Sequence, residues 1–533
     1  MVTVTKSREP ETECQPSEYM SGPPLTLLIL SLCIGTFLVS LDRTIITVPI
    51  PQITKDFKST ADIGWYGAAY SLTSCGCMPL YGRAYQSFNV KWTFLGSMAV
   101  FALGSLVCAA SPASAGLIVG RAIAGLGNAG AVTGGMAILT HTVALEKRAM
   151  YNSFVLMMFT IGAIAGPLFG GLFVDKATWR WCFWINLPVI ALTSLTFYFT
   201  FKPKPTSQLS KKFITRLLEL DLEGCIILLV AAVMFFTALQ YTAAGNNWGT
   251  PRVIGLLVGS GIAALIFIGW IWHKQDEALI PLGILKDRRV AASCMMGFLV
   301  YGTIATQAYY LPTWFQAIKG DTAIKSGVHM LPYTLGACVS SLLSGAFVNR
   351  TGLYTPPAVL GSVIATVGSA LLATLAVTSS PGHWIGYQIL ASFGVSMAIA
   401  QGYISIEVAL GKATSSIGLA AMLASQSFGA SVFVAVGNTI LQDSLLKAAE
   451  KAGLRGVDIA QVMGAGATEF RVLVPAQYLP AILQAYNSSL QKLFYSVIPL
   501  VALSVVVSCF LGWKRIAVEG RLSEGSLADS DER

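Results

Sequence analysis

The sequence predicts an all-α integral membrane protein with fourteen transmembrane helices, and three observations carry that fold class. Charged residues make up only 11% of the 533, against roughly 25% in soluble domains, so most of the surface must face lipid rather than water. Apolar runs of about 18 to 25 residues recur along the whole chain, each long enough to cross a hydrocarbon core of about 30 Å at about 1.5 Å per residue. These runs do not alternate polar and apolar residues. In lipid every backbone N–H and C=O must be paired within the protein, by helices or closed barrels, and the lack of alternation selects helices.

In chain order, residues 1–24 form a polar tail with Glu9, Glu11, Glu13 and Glu18. That composition resembles neither a secretory signal nor an Arg-rich transit peptide, so the first span is expected to act as an uncleaved signal-anchor. The first eight expected spans are 25–50, 63–81, 93–111, 115–140, 151–174, 182–201, 224–243 and 253–272. The last six are 293–317, 328–348, 355–377, 385–410, 416–441 and 493–513. An even count places both termini on one side. Of the 35 lysines and arginines, 21 fall on that side and 12 on the other, with two intramembrane arginines completing the set. Both termini are therefore expected to be cytoplasmic.

The net charge of +9 does not point to nucleic acid, because the surplus sits mainly in loops on one side rather than in a basic patch on a soluble fold. The ten cysteines lie almost entirely in apolar runs without metal-ligand spacing and are expected to be small packing residues. The segment 202–223, with Lys202, Lys204, Lys211, Lys212 and Arg216 followed by Glu219, Asp221 and Glu223, reads as a connector between bundles, as a charge run that fixes topology, or as both. Asn487-Ser488-Ser489 is a glycosylation sequon in the expected long outer loop 442–492.

Several local patterns stand out within the apolar runs. The first span ends in Leu41-Asp42-Arg43-Thr44-Ile45-Ile46 and runs on to Pro49 and Pro51. Between the second and third spans lies Gly82-Arg83-Ala84-Tyr85-Gln86-Ser87-Phe88-Asn89-Val90-Lys91. The fourth span carries Leu117, Arg121, Gly125, Gly127 and Gly130, and the fifth Gly162, Gly166, Pro167, Gly170 and Gly171. Further along come Trp179-Arg180-Trp181, Phe183-Trp184-Ile185-Asn186-Leu187-Pro188, Tyr310-Leu311-Pro312, Phe315-Gln316 and Ser326-Gly327-Val328.

From 25 to 513 this set of motifs resembles the major facilitator superfamily in its fourteen-span drug:proton antiporter branch, of the fungal multidrug and toxin efflux type. The chain departs from that pattern in the second loop, where Gln86 replaces the usual aspartate and Asn89-Val90 the usual Gly-Arg pair. The resemblance implies the major facilitator fold: a six-helix bundle over 25–201, a cytoplasmic linker 202–223, two additional spans over 224–272, a cytoplasmic loop 273–292, a second bundle over 293–513 and a cytoplasmic tail 514–533. It implies proton-coupled export of small hydrophobic or amphipathic molecules by a functional monomer in the plasma membrane, or in the vacuolar membrane as the alternative, without a cofactor. The runner-up is transport of basic amino acids or siderophore-bound iron. A channel or receptor would need a filter or ligand domain, and a membrane enzyme a catalytic constellation; neither is visible in the sequence.

The physics of single residues runs beside the resemblance. A charge at mid-membrane costs about 2.5 to 3.5 kcal/mol even on the lenient insertion scale, so Asp42, Arg43 and Arg121 need a cavity or a partner. Asp42 and Arg121 are read either as a proton-coupling pair or as an internal lock between helices, and Arg43 either as a cavity residue or as a snorkelling one. Gln307, Gln316, Gln401, Gln426 and Asn438 can hydrogen-bond to neighbouring helices or to a substrate. Tyr309, Tyr310, Trp314, Phe315 and Tyr403 can line an adaptable pocket or anchor span ends. Glu407, near the end of the twelfth span, reads as an interfacial carboxylate that reaches water. Gly82, Arg83 and the fifth-span residues Gly162, Gly166, Pro167, Gly170 and Gly171 are the expected gating positions, because glycine permits close helix contact and proline a bend. Gly125-Leu126-Gly127-Asn128-Ala129-Gly130 satisfies G-x-G-x-x-G, yet it lies inside an apolar run with no strand before it and is no dinucleotide site. No Walker A string and no H-E-x-x-H pair occurs, so neither an ATP motor nor a catalytic zinc centre is expected.

Overall fold

The structure, a computed structural model, describes residues 20–46, 48–57, 62–202, 216, 219–243, 248–451, 474–475, 477–513 and 515. Most of the expected tails, most of the 202–223 linker and residues 452–473 of the expected outer loop lie outside the described residues. Among those described, all regular structure is helical.

The principal helices are α1 Pro23–Ile45, α2 Ile63–Ser87, α3 Val90–Ala110, α4 Ser114–Thr142, α5 Leu145–Lys176 and α6 Trp181–Thr200. They continue as α7 Leu222–Ala243, α8 Pro251–Lys274, α9 Arg288–Trp314, α10 Leu331–Thr351 and α11 Thr355–Ala373. The helical run Pro381–Lys451 is broken at Gly411, whose φ of 66° is open to glycine at no steric cost, into α12 Pro381–Gly411 and α13 Thr414–Ala448. Helix α14 is Leu479–Ser508. Thirteen of these helices are long and apolar enough to cross a membrane. The exception is α2, a full 25 residues long, whose Tyr, Ser, Thr and Gly content lowers its hydropathy because it is wrapped by protein rather than lipid.

The first span stops at Ile45 rather than 50. Pro49 disfavours helix at the residue before it, and the chain restarts as the short helix Ile50–Phe57, with Pro51 in its first turn. Helix α14 begins fourteen residues earlier than the expected 493, and α13 runs on to Ala448, so helix replaces both ends of the expected outer loop. The extra turns of α14 are held by burial of Ile482, Ala485, Tyr486 and Leu490.

Helices α1 to α6 form one bundle, in which α1 packs on α5 and α6, and α4 on α2 and α3. Helices α9 to α14 form the second. There α11 and α12 approach so closely that a Cβ at Gly368 or Gly394 would collide with the facing backbone. Helices α7 and α8 pair with each other; α7 lies against α2 and touches α13 through the Phe235 and Phe428 rings, 5.2 Å apart. Its start is set by Asp221, a non-glycine residue at φ 52° whose carboxylate accepts from Gly224 N, Trp270 Nε1 and Leu279 N. Outward-facing Leu192, Phe199, Ile262 and Leu265 are more than half exposed, a surface that lipid accommodates and water does not.

Candidate functional site

The strongest electrostatic feature of the first bundle is fully buried. Asp42, in the last turn of α1, and Arg121, in the middle of α4, are each 0% exposed. Arg121 NH1 donates to Asp42 Oδ2 at 2.7 Å, and its Nε donates to the Tyr66 carbonyl at 3.0 Å. The second carboxylate oxygen, Oδ1, accepts from Asn186 Nδ2 at 2.7 Å, and that amide also donates to Ser105 Oγ at 3.1 Å. The Tyr70 ring lies 4.3 Å from the guanidinium and adds a cation–π contact. An isolated charge here would be too costly to bury, so the pair persists because each carboxylate oxygen has a donor and the cation has both an anion and an aromatic face. Asn186 was not singled out as a site residue. A lone amide inside Phe183-Trp184-Ile185-Asn186-Leu187-Pro188 was the available signal.

Arg43, the next residue of α1, has a different environment. It is half-buried, it makes no hydrogen bond or ion pair with the other described residues, and it lines a cavity of about 70 Å³ between the two bundles. A space of that size holds several waters. The first bundle contributes Tyr70, Ser74, Asn128 and Phe159 to the wall, and the second contributes Tyr301, Tyr403 and Gln426. Tyr70 belongs both to this wall and to the Arg121 cation–π contact, so it is the shared side chain between cavity and ion pair. Tyr403 and Gln426 satisfy each other at 2.9 to 3.0 Å. Asn128 donates to Ser74 Oγ at 2.6 Å, while its own Oδ1 has no partner.

Of the residues expected in the cavity, Arg43 and Gln426 line it. The others stand elsewhere in this conformation. Gln307 donates to Ser369 Oγ at 2.8 Å and accepts from Tyr333 at 3.0 Å, both inside the second bundle. Tyr310 donates to the Val434 carbonyl, and Gln401 turns its amide back to Met397 of its own helix. Gln316 lies in the π-helical turn Phe315–Lys319, and Asn438 is half-buried on α13; neither is in the cavity wall. Trp314 donates to Asn487 Oδ1 at 2.8 Å, and Asn487 Nδ2 donates to the Leu375 carbonyl. Asn487 is thus 6% exposed, inside α14, with both ends of its amide engaged. The sequon thus lies in a helix rather than in the expected outer loop.

The gating expectations divide in the same way. Gly82 sits where α2 meets α13: Ser416 Oγ donates to its carbonyl at 3.2 Å, and a Cβ there would collide with Ala420. Arg83 instead donates to the Asp276 and Ala278 carbonyls and ties the connector after α8 to the first bundle. Asn89, in the departing part of the loop motif, caps α3 by accepting from Lys91 N at 3.0 Å. Gly162, Gly166 and Gly170 face Phe37, Thr44 and Ile45 of α1, a contact within the first bundle rather than between bundles; Gly171 faces open space, and Pro167 lies inside the helix. On the terminus side the bundles instead meet at Gly345 of α10, packed on Ala149 and Ser153 of α5.

Beside that contact, Glu407 does not reach water. It is 2% exposed and pairs across the bundles with Arg148 NH1 at 3.4 Å. Arg148 falls between the expected fourth and fifth spans, and nothing in its local sequence marks it as buried. On the far side, the short helix Ala323–His329 reaches α5, with Gly327 beside Leu168.

Comparison with known proteins agrees with this architecture. The sequence model described as Major Facilitator Superfamily matches residues 32–436. The chain is 37% identical to the aspyridones efflux protein of Neocamarosporium betae, over 97% of this chain and 92% of that one. It is 38% identical to the efflux pump roqT of Penicillium rubens, over 92% and 90%. With the MFS-type efflux pump MFS1 of Trichophyton rubrum the identity is 36%, over 99% and 98%. Among solved structures, the human organic anion transporter MFSD10 superposes with a TM-score of 0.55 at 14% identity, over 90% of this chain and 100% of that chain. A bacterial homolog of the human lysosomal transporter Spinster, inward-facing and unoccupied, gives 0.53 at 16%, over 92% and 98%. These two likenesses concern the fold alone. Two bundles around a central cavity, a family match over three quarters of the chain and full-length relatives above 35% identity lead to one statement: this protein belongs to the major facilitator superfamily.

Proposed function

We propose that the chain is a secondary active transporter that exports small hydrophobic or amphipathic organic molecules, of the fungal secondary-metabolite, toxin or drug type, in exchange for protons. The observation that carries the coupling is the Asp42 centre: a carboxylate held at zero exposure by Arg121 and Asn186, with Tyr70 linking it to the wall of the inter-bundle cavity. Asp42 takes the proton when the cavity opens to the acidic side, Arg121 sets how readily it does so, and the two bundles rock about the cavity. Coupling requires only that proton and substrate bind the two states with different affinity. The names of the relatives support export, and no enzyme is among those compared. The protein acts as a monomer in the plasma membrane with both termini in the cytoplasm, in line with the lysine and arginine bias of the loops. Among the described residues the cavity wall carries no carboxylate, which disfavours basic amino acids as cargo.

The test is transport of Nile red, a neutral amphipathic dye, by the purified protein in proteoliposomes with an imposed pH gradient. Flux follows the gradient in the wild type and loses that dependence in Asp42→Asn. Gradient-independent flux in the wild type, or full gradient dependence in Asp42→Asn, removes proton coupling through this residue.

A further inference from the structure

The cavity wall has a polarity that the coupling mechanism does not use. Among the described residues eighteen line it, and the guanidinium of Arg43 is the single formal charge among them. Arg43 has no hydrogen-bond or ion-pair partner among the described residues, whereas its chain neighbour Asp42 is fully occupied by Arg121 and Asn186. Counting formal charges, Asp42 and Arg121 cancel and Arg43 remains, so the space between the bundles carries a net positive charge. A cation in such low-dielectric surroundings is stabilised by water or by an anion, and a planar guanidinium matches a carboxylate through two parallel hydrogen bonds. Around it the wall is apolar and deformable: Met78 and Met136 supply thioethers, and Tyr70, Phe159 and Tyr301 supply ring faces.

We infer that the central cavity selects organic acids: flat, largely apolar molecules with one acidic group, a carboxylate or an ionised enol or phenol, that docks on Arg43. The rings and methionines accept the body of the ligand. Arg43 therefore sets specificity, separately from proton handling at Asp42. This inference rests on the transport reading above and narrows its substrate class.

The experiment uses the full chain in lipid nanodiscs, with empty nanodiscs as background, and three fluorescent probes on one ring system. These are 9-anthracenecarboxylate, 9-anthracenecarboxamide and the ammonium form of 9-(aminomethyl)anthracene. The carboxylate binds at least about tenfold more tightly than the isosteric carboxamide, and the ammonium probe binds worst. Arg43→Gln abolishes the preference, Arg43→Lys keeps part of it, and thermal unfolding confirms that both variants are folded. The wild-type ratio needs no variant, so it decides even if Arg43→Gln fails to fold. Equal binding of carboxylate and carboxamide, tightest binding of the ammonium probe, or an undiminished acid preference in folded Arg43→Gln overturns the inference. Acid-selective binding without flux in proteoliposomes supports the ligand class and removes the export reading; Nile red flux without acid selectivity does the reverse.

Discussion

Among the described residues two ion pairs are buried, and they are built differently. Asp42 and Arg121 belong to the same bundle, meet at 2.7 Å and leave neither carboxylate oxygen unpaired. Arg148 and Glu407 belong to opposite bundles and meet at 3.4 Å, and Glu407 Oε1 has no hydrogen-bond partner. The two ends of this second pair are also unequal. Arg148 is anchored to its own bundle by hydrogen bonds from Nε to the Val143 carbonyl at 2.8 Å and from NH2 to the Thr140 carbonyl at 2.7 Å. Glu407 has no such anchor. If the bundles part on the terminus side, Arg148 keeps its backbone acceptors and Glu407 exchanges one cation for water. A buried pair across the bundle interface is thus stable only while that interface is dry, whereas the geometry of a pair inside one bundle does not depend on the contact between bundles. The pair within the bundle is suited to a local charge centre, and the pair across the bundles to a latch.

The largest effect is expected on breaking the pair within the bundle. Arg121→Ala strands a buried carboxylate and costs about 3 to 5 kcal/mol, read as the largest fall in thermal unfolding midpoint of any variant discussed here. Asp42→Asn costs less, because the amide can still engage Asn186. Equal stability of Arg121→Ala and wild type would erase the distinction between lock and latch.

A smaller effect falls on the latch and should show in access rather than in stability. Glu407→Gln is expected to raise the labelling rate of a Ser153→Cys reporter, a near-isosteric change at the buried contact with Gly345, by a membrane-impermeant maleimide applied from the terminus side. Arg148→Met should do the same, and the double variant should add little, with a coupling of about 0.5 to 3 kcal/mol. Labelling that is unchanged in all three variants means that this pair does not hold the bundles together.

The smallest effect sharpens the comparison with a half-exposed pair. Asp287 caps α9 by accepting from Arg289 N at 2.8 Å, and its carboxylate meets the Arg289 side chain at 2.7 Å. The hydrogen bond from the Arg289 side chain, more than any other cause, holds the Asp287 carboxyl below its ordinary value. The contribution is therefore complete at pH values above the ordinary carboxylate range and is lost as pH falls through the lower, folded-state value. The unfolding midpoint of the wild type should exceed that of Asp287→Asn slightly at neutral pH, and the difference should vanish in strong acid; a gap that widens on acidification contradicts the assignment.

Much of the fold was legible because a membrane imposes a length. Helices α3, α4, α7, α8 and α11 begin within three residues of the expected spans for that reason, since each must place about twenty apolar residues in hydrocarbon. Helix α14 was set too short because its first turns are amphipathic: Asn487 and Gln491 look like loop residues until their partners, Trp314 and Leu375, are in place. The second-loop motif shows the same limit, since Arg83 holds the α8 connector through backbone carbonyls that no local pattern records.

The sequence by itself determined that charges at Asp42, Arg43 and Arg121 had to be special, because the cost of an ion in lipid is the same whatever the fold. Only the tertiary structure decided which of the three was paired and which was open to the cavity, that Asn186 completes the first site, and that Arg148 finds Glu407 across the bundles. The physical reason is that a helix's rotation is set by packing against its neighbours. Gln307 and Gln426 are equivalent as amides in apolar helices, and the turn of the helix alone sends one into the second bundle's interior and the other to the cavity wall.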